Sequence, residues 1–238
     1  MIGLGLGLQS YGAGEQAFSL NDIANLKLWL KYDTGITLDG NSLVEEWEDQ
    51  SPQGNDATQT VESRRPLYDT GNIKFKWNGI ATWLENPSIA FNAFSMFFVI
   101  DPDVIASAGV VGSASNQCIR VHQGGDADRV FIRGVAGDSN QSNLTQDLPT
   151  NKFLLSVVRD STTSTDNVRV FINTTDVTDT ANDSMIPAPL AINNIGTTTE
   201  NFVPFDGIFN ECAMYSDELT NDQILQVQQD IISRNSIS

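Results

Sequence analysis

Between residues 26 and 215 the chain repeats short apolar alternations bounded by turn-forming residues, and no amphipathic helical pattern intervenes. Leu26 to Lys31, Lys74 to Trp77, Ser95 to Ile100, Cys118 to His122, Arg129 to Arg133, Phe153 to Arg159, Val168 to Ile172 and Ile208 to Tyr215 are examples. A period of two places alternate side chains on opposite faces, which is the signature of strands. The spacers carry turn chemistry: Asp69-Thr-Gly71, Trp77-Asn-Gly79, Gly124-Gly125 and the Ser/Thr-rich run 161–167. A parallel sheet needs long crossovers, usually helical. Their absence predicts an all-β, two-sheet antiparallel sandwich.

One helix is predicted, at the C-terminus. Thr220 with Gln223 three residues on forms a capping box, and Ile224, Val227 and Ile231 share one face with Leu225 and Ile232 adjoining. That face should pack on the sandwich. Ser19 and Asp22 cap a single helical turn ahead of the first strand. No Pro/Gly-rich linker interrupts residues 20–235, so residues 19–238 are expected to form one domain. Residues 1–18 read as an arm and linker. Ile2, Leu4, Leu6 and Leu8 alternate with glycines, and a glycine face lets another surface approach closely. Docking on a partner and a free terminus or edge strand both remain open for this segment.

Charge narrows the partners. Thirty Asp/Glu against thirteen Lys/Arg give a formal net charge of −17. Phosphate backbones require clustered cations, so no nucleic-acid partner is expected. From residue 170 onward Arg234 is the only base, an arrangement that anionic membranes repel, and no apolar run is long enough to span a bilayer. The opening residues lack a basic stretch and a small-residue cleavage site, so a signal peptide is not expected. Cys118 and Cys212 stand outside any CxxC spacing. They are expected as buried free thiols, with a disulfide open if their strands face each other.

Several segments in order resemble the laminin-G-like, concanavalin-A-like lectin/glucanase superfamily, in the divergent form found among bacteriophage virion proteins. They are Leu26 to Asp33, Val44 to Ser51 with Gly54 to Thr58, Arg64 to Tyr68, Phe75 to Gly79, Val168 to Asn173, Phe205 to Gly207, and Asn210 to Tyr215 with Leu219, Thr220 and the final helix. The likeness covers roughly residues 20 to 234 and implies a jelly roll of two stacked sheets. Phe75-Lys-Trp-Asn-Gly79 departs from the more usual Phe-Asp-Gly turn. Each segment also has a structural reason to exist. Trp29 and Trp47 supply buried area, while Asp49, Ser51, Asn55 and Asp56 can bond backbone amides across a long turn. Arg64 and Arg65 form a rim feature suited to carboxylate pairing.

Enzymatic signatures are weak. His122 is the lone histidine, so a two-histidine zinc site is excluded and any Ser-His-Asp triad must use it, yet no GxSxG elbow occurs. Glu46 and Glu48 alternate around Trp47 as paired glycosidase carboxylates do, but the ExDxE-type signature is missing and Trp47 is expected to point inward. Nucleotide motifs are absent. Calcium has only loosely spaced candidates, Asp126 with Asp128 and the stretch from Asp176 to Asp183.

The leading expectation is a non-enzymatic bacteriophage virion structural protein, a capsid decoration or fibre module. It would be held partly through Ile2, Leu4, Leu6 and Leu8 against a major capsid or fibre protein, self-associating as a homo-oligomer for which a trimer would suit the particle. No cofactor is required. The alternative is a carbohydrate-binding module that recognises host glycans through exposed aromatics, with Tyr68, Trp77, Trp83 and Tyr215 as candidates.

Overall fold

The computed structural model describes residues 17–134, 141–180, 184–185, 188–199 and 202–238. Ile2, Leu4, Leu6 and Leu8 of the expected arm lie outside the described residues. Among the described residues the strands form two antiparallel sheets. The eight-stranded sheet runs Thr175–Asp176, Val168–Ile172, Phe153–Arg159, Phe94–Pro102, Gly207–Tyr215, Asn72–Phe75, Leu67–Asp69, and Leu26–Leu30 also pairs with Gly207–Tyr215. The nine-stranded sheet runs Gln141–Asn143, Arg129–Arg133, Gln117–Val121, Ala108–Ala114, Leu190–Ile195, Leu84–Phe91, Ala57–Thr58, Val44–Trp47, Ile36–Leu38. The expected two-sheet jelly roll is the observed architecture.

Alternation along the central strands explains how three layers arise. On Phe94–Pro102, the side chains of Phe94, Met96, Phe98 and Ile100 enter the core between the sheets, while Phe97 and Val99 enter a second core beneath the helix. Phe153, Leu155 and Val157 likewise face one core, Leu154 and Val158 the other. A strand covered on both faces reads as a continuous apolar run, as Phe94 to Ile100 does. The helix Asn221–Asn235 begins at the predicted capping box and contributes Ile224, Val227 and Ile231 to the second core. Polar groups inside that layer are matched: Ser95 Oγ accepts from Leu219 N and Gln228 Nε2 donates to Ser156 Oγ.

The long turn after Val44–Trp47 is built as its residues suggest. The Asp49 carboxylate accepts from the amides of Trp29, Ser51 and Asn55, each at 2.8 Å. Asp56 accepts from Asp49 N, and Asn55 Nδ2 donates to the Lys27 carbonyl. Arg65 pairs with Asp39 and Glu45 at 2.9 and 2.8 Å. One boundary differs from expectation: the strand predicted through Trp77 ends at Phe75. Lys76 N instead meets Thr82 Oγ1, and Trp77 bridges Ala81 across a tight turn in which Gly79 has φ +95°. Cys118 and Cys212 are buried free thiols, and burial pushes both pKa values up.

Candidate functional site

Gly207 pairs with Pro102 on one side and Phe75 on the other. The segments that follow Phe75, follow Pro102 and precede Gly207 therefore emerge side by side at one end of the sandwich. Backbone bonds lock them together: Asp103 N donates to the Asp206 carbonyl at 2.9 Å, Gly109 N to Val203 at 2.7 Å and Phe205 N to Gly196 at 2.8 Å. Val203 is held at φ +44°, a left-handed conformation that β-branched residues rarely adopt. Such backbone persists where the surroundings over-determine it, and it concentrates at ligand sites.

A cleft of about 310 Å³ opens among these loops, lined by Trp77, Val104, Ser107, Val203, Pro204 and Asp206 among others. Trp77 is 46% exposed, whereas Trp29, Trp47 and Trp83 are 5%, 0% and 0% exposed. Ile80, Val104, Ile105 and Phe202 are also exposed apolar side chains on the same loops. The Asp206 carboxylate accepts from the Trp77 amide, yet burial and the nearby Asp103 charge hold its pKa above the usual carboxylate value. Burial and Asp103 raise Asp101 in the same way. Lys74 Nζ reaches Asp103 at 3.2 Å. An aromatic face edged by carboxylate acceptors can stack on an apolar ring face and bind hydroxyl groups around it.

The four aromatic residues named from sequence do not share one surface. Trp77 lines the cleft. Tyr68 is half-buried on Leu67–Asp69, where its hydroxyl donates to Asp33 and that bond pushes its pKa up to about 12. Trp83 and Tyr215 are corrections: both are fully buried and cannot serve as surface platforms. Trp83 lies under the Arg64 guanidinium, 4.7 Å from ring centroid to Cζ, and its Nε1 donates to Glu85. The Tyr215 hydroxyl donates to the Leu20 carbonyl at 2.9 Å, and burial raises its pKa. Trp47, between Glu46 and Glu48, is buried with Nε1 on the Lys31 carbonyl, so that carboxylate pair has no exposed ring between its members.

Of the calcium candidates, Asp126 pairs with Arg129, and Asp176 accepts from the Thr178 amide and hydroxyl. No cluster of three or more His, Cys, Asp or Glu suited to a metal occurs among the described residues. No helix among them is long and apolar enough to cross a membrane. Asp103 and Val203 were not singled out from sequence, and Asp206 entered only within the segment Phe205 to Gly207. Their loops lie far apart in the chain and meet through the pairing of Gly207 and the backbone bonds beside it.

No protein-family model matches the chain, and none of the curated sequences is similar to it. Solved structures are. Domain 4 of AbnA, a GH43 extracellular arabinanase from Geobacillus stearothermophilus solved with arabinotriose, superposes with a TM-score of 0.55 at 17% identity, over 86% of this chain and 98% of that domain. Trypanosoma rangeli sialidase in complex with sialic acid gives 0.58 at 14% identity, over 88% of this chain and 34% of the enzyme. The binding domain of botulinum neurotoxin DC with SialylT gives 0.53 at 11% identity, over 90% and 52%. The chain thus spans nearly all of the arabinanase domain, about a third of the sialidase and about half of the toxin domain. What these likenesses share with the chain is the concanavalin-A-like, lectin-like β-sandwich fold.

Proposed function

We propose that this protein is a carbohydrate-binding module whose glycan site is the cleft at Trp77. The carrying observation is a half-exposed indole set beside Asp206 on loops pinned to one another through their backbones. A cleft of about 310 Å³ falls at the lower end of the roughly 300–1,000 Å³ common for small-ligand sites. The indole would stack on a sugar ring, and Asp206 and Asp103 would accept from its hydroxyls. The arabinanase domain solved with arabinotriose supports this reading because the likeness is domain to domain. No catalytic step is assigned to the chain.

The test is a glycan array with the isolated protein, followed by calorimetric titration of the best binder. Trp77→Ala is expected to weaken that binding about tenfold or more with an unchanged circular dichroism spectrum. Unaltered affinity would overturn the assignment.

A second reading, a phage virion module located on the particle, rests on the alternation of Ile2, Leu4, Leu6 and Leu8 with glycines. It is compatible with glycan binding, since an arm would attach the module and the cleft would face the host. Self-association belongs to this reading. Deleting residues 1–9 is expected to abolish incorporation into particles while leaving the fold intact by circular dichroism. Normal incorporation of the deletion would remove the arm from the account.

A further inference from the structure

A second cleft, of about 260 Å³, adjoins the first, and the exposed side chain of Val104 lines both. Asp103, Ile105, His122, Pro149 and Thr150 contribute to its walls. His122 ends the alternation of Gln117–Val121 in a left-handed backbone conformation, φ +51° and ψ +39°. Its imidazole is only 3% exposed, and Nδ1 has no hydrogen-bond partner among the described residues. Burial lowers the His122 pKa against the opposing influence of the Val104 carbonyl, and so favours the neutral ring. A buried ring nitrogen without a partner is a standing cost, and a hydroxyl, which both donates and accepts, can remove it.

Charge restricts what enters. Asp206 lines the first cleft and Asp103 the second; Lys74 pairs with Asp103 at 3.2 Å, but neither Lys nor Arg is among the residues lining either cleft. The same turn that presents His122 is tied to the first cleft, because Gly124 N donates to Ser107 Oγ at 2.8 Å.

We propose that the two clefts are consecutive subsites of one groove, with Trp77 stacking on one sugar and His122 Nδ1 pairing with a hydroxyl of the next. The preferred ligand class is then an uncharged oligosaccharide of at least two units. This inference rests on the glycan reading of the Trp77 cleft and narrows it. His122 acts as a binding residue in it and takes no part in catalysis.

The full chain is titrated calorimetrically with arabinose and arabinotriose, glucose and maltotriose, and sialyllactose. At least one trisaccharide is expected to bind tenfold or more tightly than its monosaccharide, with sialyllactose weaker than that trisaccharide. His122→Phe should weaken the trisaccharide about fivefold and leave the monosaccharide unchanged. Thr150 is exposed, so Thr150→Val supplies a second variant should the buried replacement disturb the fold; it should reduce the trisaccharide preference about twofold. Equal affinity for a trisaccharide and its monosaccharide would overturn the paired subsites. An unchanged ratio in a folded His122→Phe, or in Thr150→Val where the first variant misfolds, would do the same. Sialyllactose as the tighter ligand would overturn the uncharged class. Failure of every probe to bind the unaltered chain would overturn the underlying glycan reading as well.

Discussion

Replacing Glu211 with alanine is expected to lower the stability of the protein by about 3–5 kcal/mol, the usual result of breaking a buried ion pair from one side. Glu211 is fully buried on Gly207–Tyr215, on the face turned to the helix. Its carboxylate accepts from Trp29 Nε1 at 2.9 Å, from Arg234 Nε at 2.9 and 3.0 Å, and from Asn235 Nδ2 at 2.6 Å. One side chain thus joins the first strand, the central strand and the last turn of the helix. Burial works against the Arg234 charge, but its bonds to Glu211 and Asp230 outweigh that and hold its pKa above the ordinary value. Urea unfolding followed by circular dichroism measures the loss. Pairing Glu211→Leu with Arg234→Leu should recover part of it, because neither charge of the buried pair is then left without the other, and Asp230, which also bonds Arg234, is exposed enough to be solvated. A single-variant loss below about 1 kcal/mol would show that the network does not secure the helix.

The second large effect concerns Gly207, where the rim of the cleft is set. Its φ of +143° is one that side chains rarely allow, and a Cβ there would lie 2.3 Å from the Asp101 carbonyl oxygen and 2.9 Å from Asp103 N. Those are backbone atoms, so a neighbouring strand would have to shift. Gly207→Ala is expected to cost about 3 kcal/mol or more, combining backbone strain with overpacking. Glycan binding would fall with it, because Asp103 and Asp206 meet across this pairing. Gly79→Ala is the control. Gly79 also has positive φ, at +95°, but nothing lies within 4 Å of its added Cβ, so only about 1 kcal/mol should be lost and the fold retained. Equal losses at the two positions would mean that close approach at Gly207 has no part in the effect.

These residues mark where sequence legibility ends. Short apolar segments bounded by turn residues placed Ser95 to Ile100, Arg129 to Arg133 and Phe153 to Arg159 in strands because burial of one or both sheet faces leaves a local imprint. The Thr220 capping box and the Asp49 turn are visible for the same reason: donor and acceptor are neighbours in the chain or nearly so. Which tryptophan faces solvent is not local. Trp29 is buried because Glu211 accepts its indole proton, and Trp47 because the Lys31 carbonyl does. Trp77, by contrast, sits on a turn that begins once pairing with Gly207 stops at Phe75. The left-handed backbone at Val203 and His122 belongs to residues with no glycine signal. Tyr215 lies on a strand whose polar residues Asn210 and Glu211 are satisfied inside the protein, so its ring is covered rather than presented to solvent.

Trp77 is the exposed member of the four tryptophans, which makes acrylamide quenching of intrinsic fluorescence a direct probe of the proposed glycan site. Titrated with maltotriose or arabinotriose, the accessible emission is expected to become protected at saturation, and Trp77→Phe should lack both that emission and its change. Oligosaccharide binding that leaves quenching untouched, or no binding of any oligosaccharide at all, would contradict the assignment of this cleft.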